Sequence, residues 1–302
     1  MNAMKPFIYL PLWFFKTRVL GKKIPLQSVV FISNKCNLKC QHCTIYAKKD
    51  AIVKTLAEIQ SDLEYCYQQG SRFVDLEGGE PTLWRDGEHD LNSIIRLAKG
   101  IGFYSVTVTT NAARSFAGLE ADSIWVSMDG VGATHDAIRG EGTFERLVRH
   151  IEGCGRPRVS VNMVVNALNH PSVGETIRFA KDHRNIDSIA INLHTPFPGT
   201  EALELDEATR HQVLDKVIAY KKKGYPIMNS VAGLELMRKR DFKKYCWMAN
   251  FVMVDGKRLP ECQGKETGLC ERCGFCMAGE MASVMGMKLE TLLAGLKLRI
   301  TG

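Results

Sequence analysis

Residues Gln27 to Cys43 read QSVVFISNKCNLKCQHC. Gln27 to Ile32 reads as a short buried strand. Three cysteines follow at once, Cys36, Cys40 and Cys43, spaced C-x3-C-x2-C on one loop. Downstream, β-branched runs alternate with helical periodicity. Strands are expected at Arg72 to Leu76, Tyr104 to Thr109, Ser123 to Met128, Val159 to Val165 and Ser188 to Leu193. Helices are expected at Lys54 to Gln69, Asp90 to Gly100, Thr143 to Ile151, Val173 to His183 and Ala208 to Lys222. Six strands alternating with helices imply an α/β fold with a parallel sheet, a (β/α)6 barrel or partial barrel. Ligands of such sheets bind at the carboxyl ends of the strands. The residues most able to do chemistry fall there: the cysteine loop, Gly78-Gly79-Glu80-Pro81, Thr110-Asn111 and Asp129-Gly130.

The expected organisation is an apolar and basic segment over 1–26, a core over 27–230 and a cysteine-rich extension over 231–302. The 302 residues are 45% hydrophobic and 24% charged, which suits a large folded domain with an appendage and excludes disorder. The formal charge of +7 is spread out apart from Lys221 to Lys223 and Arg238 to Lys244. These runs read as solvated faces, and no nucleic acid is expected as a partner. Eight of the ten cysteines fall in two tight groups with metal-ligand spacing, which implies reduced thiols and a cytoplasmic protein. Cys66 and Cys154 lie on helical patterns and read as small core side chains.

Met4 to Leu20 is apolar and aromatic, with Lys5, Lys16 and Arg18 interspersed. It is too short and too charged to span a bilayer, and it lacks a signal-peptide cleavage site. Two readings stand side by side. One is a helix whose Trp13, Phe14 and Phe15 dip into lipid headgroups, placing the protein peripherally on the inner membrane face. The other is a helix packed on the protein's own core.

Three thiolates on the first loop can bind three irons of a cubane and leave the fourth open. The alternatives are a zinc site, which usually needs four ligands, or buried thiols. The loop CNLKCQHC resembles the defining motif of the radical S-adenosylmethionine (SAM) superfamily. The resemblance implies a [4Fe–4S] cluster on Cys36, Cys40 and Cys43 whose open iron binds SAM. It also implies reductive cleavage of SAM to a 5′-deoxyadenosyl radical. Gly78, Gly79, Glu80 and Pro81 resemble the superfamily's second motif, in which backbone carbonyls and Glu80 take up the methionine ammonium. Ser127 and Asp129, in VSMDG, resemble the segment facing the ribose, and Arg139 resembles an arginine pairing with the SAM carboxylate. His42, Asn111 and Asn162 complete the expected SAM contacts. Asp129 could equally cap a helix, and Arg139 could be a surface residue.

Cys246, Cys262, Cys270, Cys273 and Cys276 form the second group. Cys246 and Cys262 flank a segment that reads as a hairpin turning at Asp255-Gly256. The pattern resembles the auxiliary-cluster modules called SPASM and twitch, implying a second [4Fe–4S] cluster. A structural zinc is the alternative, and the spacing does not say which thiol is left over. Ala282 to Arg299 is expected to close the chain as one apolar and basic helix. The order of motifs from VLGKKIPL to LAGLKLRITG resembles the hopanoid-pathway enzymes that add the adenosyl radical to hopene. Thr109 stands where those enzymes carry a cysteine.

The expected function is therefore that of an enzyme using the radical on a small-molecule or lipid substrate, by hydrogen abstraction or adenosyl addition. A flavodoxin- or ferredoxin-type protein is the expected electron donor. The competing functions are a peptide-modifying maturase and a non-enzymatic Fe–S or zinc protein. No side chain stands out as a general base. Tyr46, Thr109, His135 and His194 are candidates to line the substrate site.

Overall fold

The computed structural model describes residues 4–46, 49–155 and 159–301, with side chains for 7–46, 49–155 and 159–295. Gly302, which ends the closing motif, lies outside them, as do the side chains of Lys5 and Arg299.

Six parallel strands make the core: β1 (Gln27–Phe31), β2 (Phe73–Glu77), β3 (Ser105–Thr110), β4 (Ser123–Ser127), β5 (Val159–Val165) and β6 (Ile186–Leu193). Each pairs with its successor, in the order expected of a parallel α/β core. Helices α1 (Met4–Arg18), α2 (Leu56–Gln68), α3 (Leu91–Ile101), α4 (Ala133–Arg139), α5 (Thr143–Glu152), α6 (Val173–Asp182) and α7 (Glu207–Lys222) precede or follow them. Local sequence sets several ends. Thr55 and Glu58 form a reciprocal capping box at α2, and Gly102, at φ 116°, ends α3 in a conformation that favours glycine.

Buried and half-buried residues alternate along β3, β4 and β5 and over most of β2. On β2, Val74 and Leu76 are fully buried in the main core with Ile59 and Leu63 of α2. Each such aliphatic side chain contributes roughly 1.5–3 kcal/mol. The alternate residues Asp75 and Glu77 face a central cavity. The link from β3 to β4 contains no helix. Phe116, 2% exposed, fills that place in the core.

Beyond residue 230 the chain is more regular than the sequence suggests. It forms α8 (Val231–Lys239), β7 (Ala249–Val252), β8 (Arg258–Leu259), α9 (Gln263–Glu266), α10 (Met277–Met285) and α11 (Leu289–Thr301). Ser230 caps α8 by accepting from Gly233 N–H at 3.0 Å. The expected closing helix is two helices. Gly286 caps α10, and Met287, at φ 57°, turns the chain before α11. The Asp255-Gly256 turn is present, with β7 and β8 antiparallel on either side and Gly256 at φ 82°.

This extension reaches both sides of the sheet. β7 pairs in parallel with the outer edge of β1, Gln27 facing Ala249. On the other side, Leu193 N–H at the end of β6 donates to Gly274 O at 2.8 Å, and Gly274 N–H donates to Thr195 Oγ1 at 2.9 Å. Any side chain at Gly274 would meet Leu193 O at 2.1 Å, so the contact requires glycine.

Candidate active site

The inward faces of the strands and the loops at their carboxyl ends surround a cavity of about 470 Å³. Cys36, Cys40, Cys43, His42, Gly78, Gly79, Asn111, Ser127, Arg139 and Asn162 all reach its wall. Glu80, Pro81 and Asp129 do not; they are buried behind it. Of the other residues named from sequence, Thr109 and His194 line the cavity. His135 is buried behind Asp129, whose N–H donates to His135 Nδ1 at 3.2 Å.

The cysteine loop is held by the glycine motif. Gly79 N–H donates to Ser33 O at 2.7 Å, and Glu80 N–H to Lys35 O at 2.9 Å. A Cβ on Gly78 would lie 2.4 Å from Ser33 O, and one on Gly79 2.4 Å from Lys35 O. The glycines thus allow one backbone to lie directly against the other.

Each of the three sulfurs meets a nitrogen donor. Cys36 Sγ accepts from Leu38 N–H at 3.4 Å and Asn111 Nδ2 at 3.7 Å. Cys40 Sγ accepts from Arg139 Nη1 at 3.8 Å, and Cys43 Sγ from Tyr46 N–H at 3.5 Å. Burial pushes the Cys40 thiol up to about 11 against the pull of Arg139, and burial also raises Cys36. A bound cation would supply the charge that keeps such thiols ionised. A donor set of three sulfurs with N–H partners fits an iron–sulfur cluster.

Behind the loop lies a buried ion pair. Arg139 Nε donates to Asp129 Oδ2 at 2.6 Å, with side chains 8% and 0% exposed. Asp129 Oδ1 accepts from Val164 N–H at 2.9 Å. Burial alone would raise Asp129, but Arg139 and the Val164 N–H hold it below the usual carboxylate range. His42 Nε2 stands 3.6 Å from the same carboxylate. Burial pushes His42 down to about 4, so Arg139 is the charged partner. Among the described residues, His42 Nδ1 has no hydrogen-bond partner.

The Glu80 carboxylate is fully engaged by groups of the chain. Its Oε1 accepts from Thr82 N–H at 3.1 Å, Thr82 Oγ1 at 2.6 Å and Thr110 Oγ1 at 2.7 Å. Its Oε2 accepts from Asn111 N–H at 2.7 Å. At 1% exposure the carboxylate is used within the fold, joining the turn after β2 to the end of β3.

Residues 30–180 match the Radical SAM superfamily. The chain belongs to that superfamily. It is 28% identical over 204 residues to pre-heme d1 synthase of Dinoroseobacter shibae, covering 62% of this chain and 49% of the relative. It is 29% identical over 184 residues to a probable GTP 3′,8-cyclase of Saccharolobus islandicus, covering 56% and 58%. The chain thus spans between about half and three fifths of the length of these relatives. In fold it is similar to Streptococcus suis SuiB bound to S-adenosylmethionine, with a TM-score of 0.64 at 17% identity over 85% of this chain and 66% of that one. Members of that superfamily use a [4Fe–4S] cluster and SAM, and the three N–H-supported sulfurs of Cys36, Cys40 and Cys43 fit such a cluster.

The second cysteine group borders the same cavity. Cys246, Cys262 and Cys273 reach its wall, whereas Cys270 lines a neighbouring recess with Arg210 and Lys244. The neighbouring thiols of Cys246 and Cys262 act on each other, raising Cys246 and lowering Cys262 to about 6. Cys276 is fully buried, and its N–H donates to Asn192 Oδ1 at 2.9 Å.

Two wall residues that the sequence reading did not single out are Asp75 and Glu77. Thr109 Oγ1 donates to Asp75 Oδ1 at 3.2 Å. Burial, and then Asp75, pushes Glu77 well above the usual carboxylate range. The alternation F-V-D-L-E on a strand was the available signal: it places both carboxyls on one face.

Proposed function

We propose that this radical SAM enzyme cleaves SAM at Cys36, Cys40 and Cys43 and uses the radical on a small molecule with an apolar body, of lipid or isoprenoid type. The observation that carries the reading is the convergence of three N–H-supported sulfurs, the Gly78–Gly79 backbone and Arg139 on one cavity. When bound, the cluster and SAM supply the electron and the 5′-deoxyadenosyl radical. The chain's residues position and enclose. Asn111, Ser127, Asn162 and His42 present polar groups to SAM, and Asp129 orients Arg139 toward Cys40.

The substrate class is supported by the aromatic and methionine part of the cavity wall. Phe197, Phe251, Phe275, Met277 and Met281 give it an apolar surface that excludes water. Asp75, within β2, and Glu77, at its carboxyl end, offer a polar anchor. In this reading the tail thiols, Cys246, Cys262, Cys270, Cys273 and Cys276, supply the ligands of a second [4Fe–4S] cluster beside the substrate. A flavodoxin- or ferredoxin-type donor reduces the enzyme, which works in the cytoplasm.

The test is anaerobic purification with iron and zinc analysis, then incubation with SAM and dithionite while following 5′-deoxyadenosine. About eight irons with no zinc, together with 5′-deoxyadenosine, supports the two-cluster reading, at about four irons per cubane. About four irons with one zinc keeps the SAM chemistry and makes the tail structural. No iron and no cleavage after reconstitution removes the reading altogether.

A further inference from the structure

Helix α1 is apolar on two faces. Trp13 and Thr17 are buried, 4% exposed each, and Trp13 packs with Met248 and Met285. Trp13 Nε1 donates to Ile24 O at 2.8 Å, and Tyr9 Oη donates to Gly70 O at 2.7 Å. That face is fixed to the fold. At about 100° per residue, Phe7, Ile8, Leu12, Phe15 and Val19 fall within an arc of about 140° on the opposite side. Val19 continues the last turn, donating to Phe15 O at 2.9 Å. These five side chains are 50–64% exposed. Met287, Leu289 and Leu293, at the turn into α11 and on that helix, are 57–70% exposed, and α11 contacts α1. Large apolar side chains gathered in this way mark an interaction surface.

Charge selects the partner. The chain has no Asp or Glu before Asp50. Lys16 and Arg18 lie in the last turn of α1, and exposed Lys22 and Lys23 follow directly. The α1 stripe, bordered by cations and free of carboxylates, suits the headgroup layer of an anionic membrane; at the start of α11 the one carboxylate, Glu290, accepts from Val231 N–H at 3.1 Å and is preceded by exposed Lys288. No described helix is long and apolar enough to cross one.

The geometry points to the outer face of α1, with the adjoining turn and start of α11, as a docking surface for an anionic lipid bilayer. The helix would lie in the interface plane, its stripe about 5–10 Å into the headgroup and acyl boundary. Met281 lines the cavity and also packs in the cluster around Trp13. Docking would therefore set the cavity wall one layer of side chains from the lipid. The inference does not depend on the reaction proposed above.

Flotation of the anaerobically purified full chain with lipid vesicles tests it. The vesicles are phosphatidylcholine alone or phosphatidylcholine with about one third phosphatidylglycerol. The wild type should float with the anionic vesicles and be partly released by high salt. Ile8→Glu with Leu12→Glu should weaken vesicle binding about tenfold or more, with unchanged melting temperature. Lys22→Glu with Lys23→Glu reads the same face without touching apolar packing, and should abolish the preference for anionic vesicles. A wild type that stays free of both vesicle types overturns the proposal. So does undiminished binding by the Ile8/Leu12 variant. Light scattering that finds a dimer, split by that variant, would assign the face to a second copy of the chain instead.

Discussion

Glu80 offers a direct test of whether its carboxylate serves the fold or the ligand. Glu80→Gln keeps the shape and replaces one acceptor oxygen with an NH2 donor. If the NH2 takes the place of Oε2 it faces Asn111 N–H; in the place of Oε1 it faces Thr82 N–H. The hydroxyls of Thr82 and Thr110 can turn to accept, but a backbone N–H cannot. Either rotamer therefore leaves one N–H, buried at Asn111 or half-buried at Thr82, without its carboxylate partner, a loss of about 2–3 kcal/mol. With about 2.1 cal/mol/K of unfolding entropy per residue, the melting temperature should fall by about 3–5 °C. The assay is anaerobic scanning fluorimetry, with calorimetric titration of SAM alongside. The reasoning is refuted if Glu80→Gln melts within about 1 °C of wild type and yet loses SAM binding, for the carboxylate would then face the ligand.

Three further predictions follow from the same geometry. Cys36→Ala, Cys40→Ala and Cys43→Ala should each abolish 5′-deoxyadenosine formation, while Cys270→Ala retains some; loop variants that still cleave SAM would contradict the first-site assignment. Gly79→Ala places a methyl 2.4 Å from Lys35 O, so the two backbones must part. A cost of about 1–3 kcal/mol and a lower iron content after reconstitution are expected. Asp129→Asn leaves the Arg139 guanidinium buried without its counter-charge, and should cost about 3–5 kcal/mol near pH 7 by denaturant titration. Because the Asp129 pKa is depressed in the fold, this stability is fully present above the ordinary value of about 3.9 and is lost as pH falls through the lower folded value. A wild type and variant that differ equally at pH 3 and pH 7 would contradict the ion-pair account.

The core was legible in the sequence because its signals are local. Three cysteines on eight residues, two glycines after a strand and β-branched runs at regular spacing need no tertiary information. Val159–Val165 matches its predicted bounds, and the other five strands lie within two residues of theirs. What depended on distant partners was not legible. The direction of the Glu80 carboxylate is set by Thr110 and Asn111, thirty residues away. The two readings of the N-terminal segment looked exclusive in one dimension. Trp13 packs inward while Leu12 and Phe15 face outward, so own-core packing and an exposed apolar face coexist. Helix α8 was missed because its buried contacts, Leu234 and Met237, are few in nine residues. The break at Gly286 was missed because glycine inside an apolar run is a weak stop signal.

The pairing of β7 with β1 also carries a constraint on how the chain comes to be folded. Ser28 Oγ donates to Asn250 Oδ1 at 2.5 Å across a separation of 222 residues. During synthesis, one edge of β1 is covered early by β2, while the other waits until most of the polypeptide has left the ribosome. An uncovered strand edge beside an apolar core is prone to pair with another chain. Truncation before residue 249 should therefore yield an aggregating product rather than a smaller soluble core.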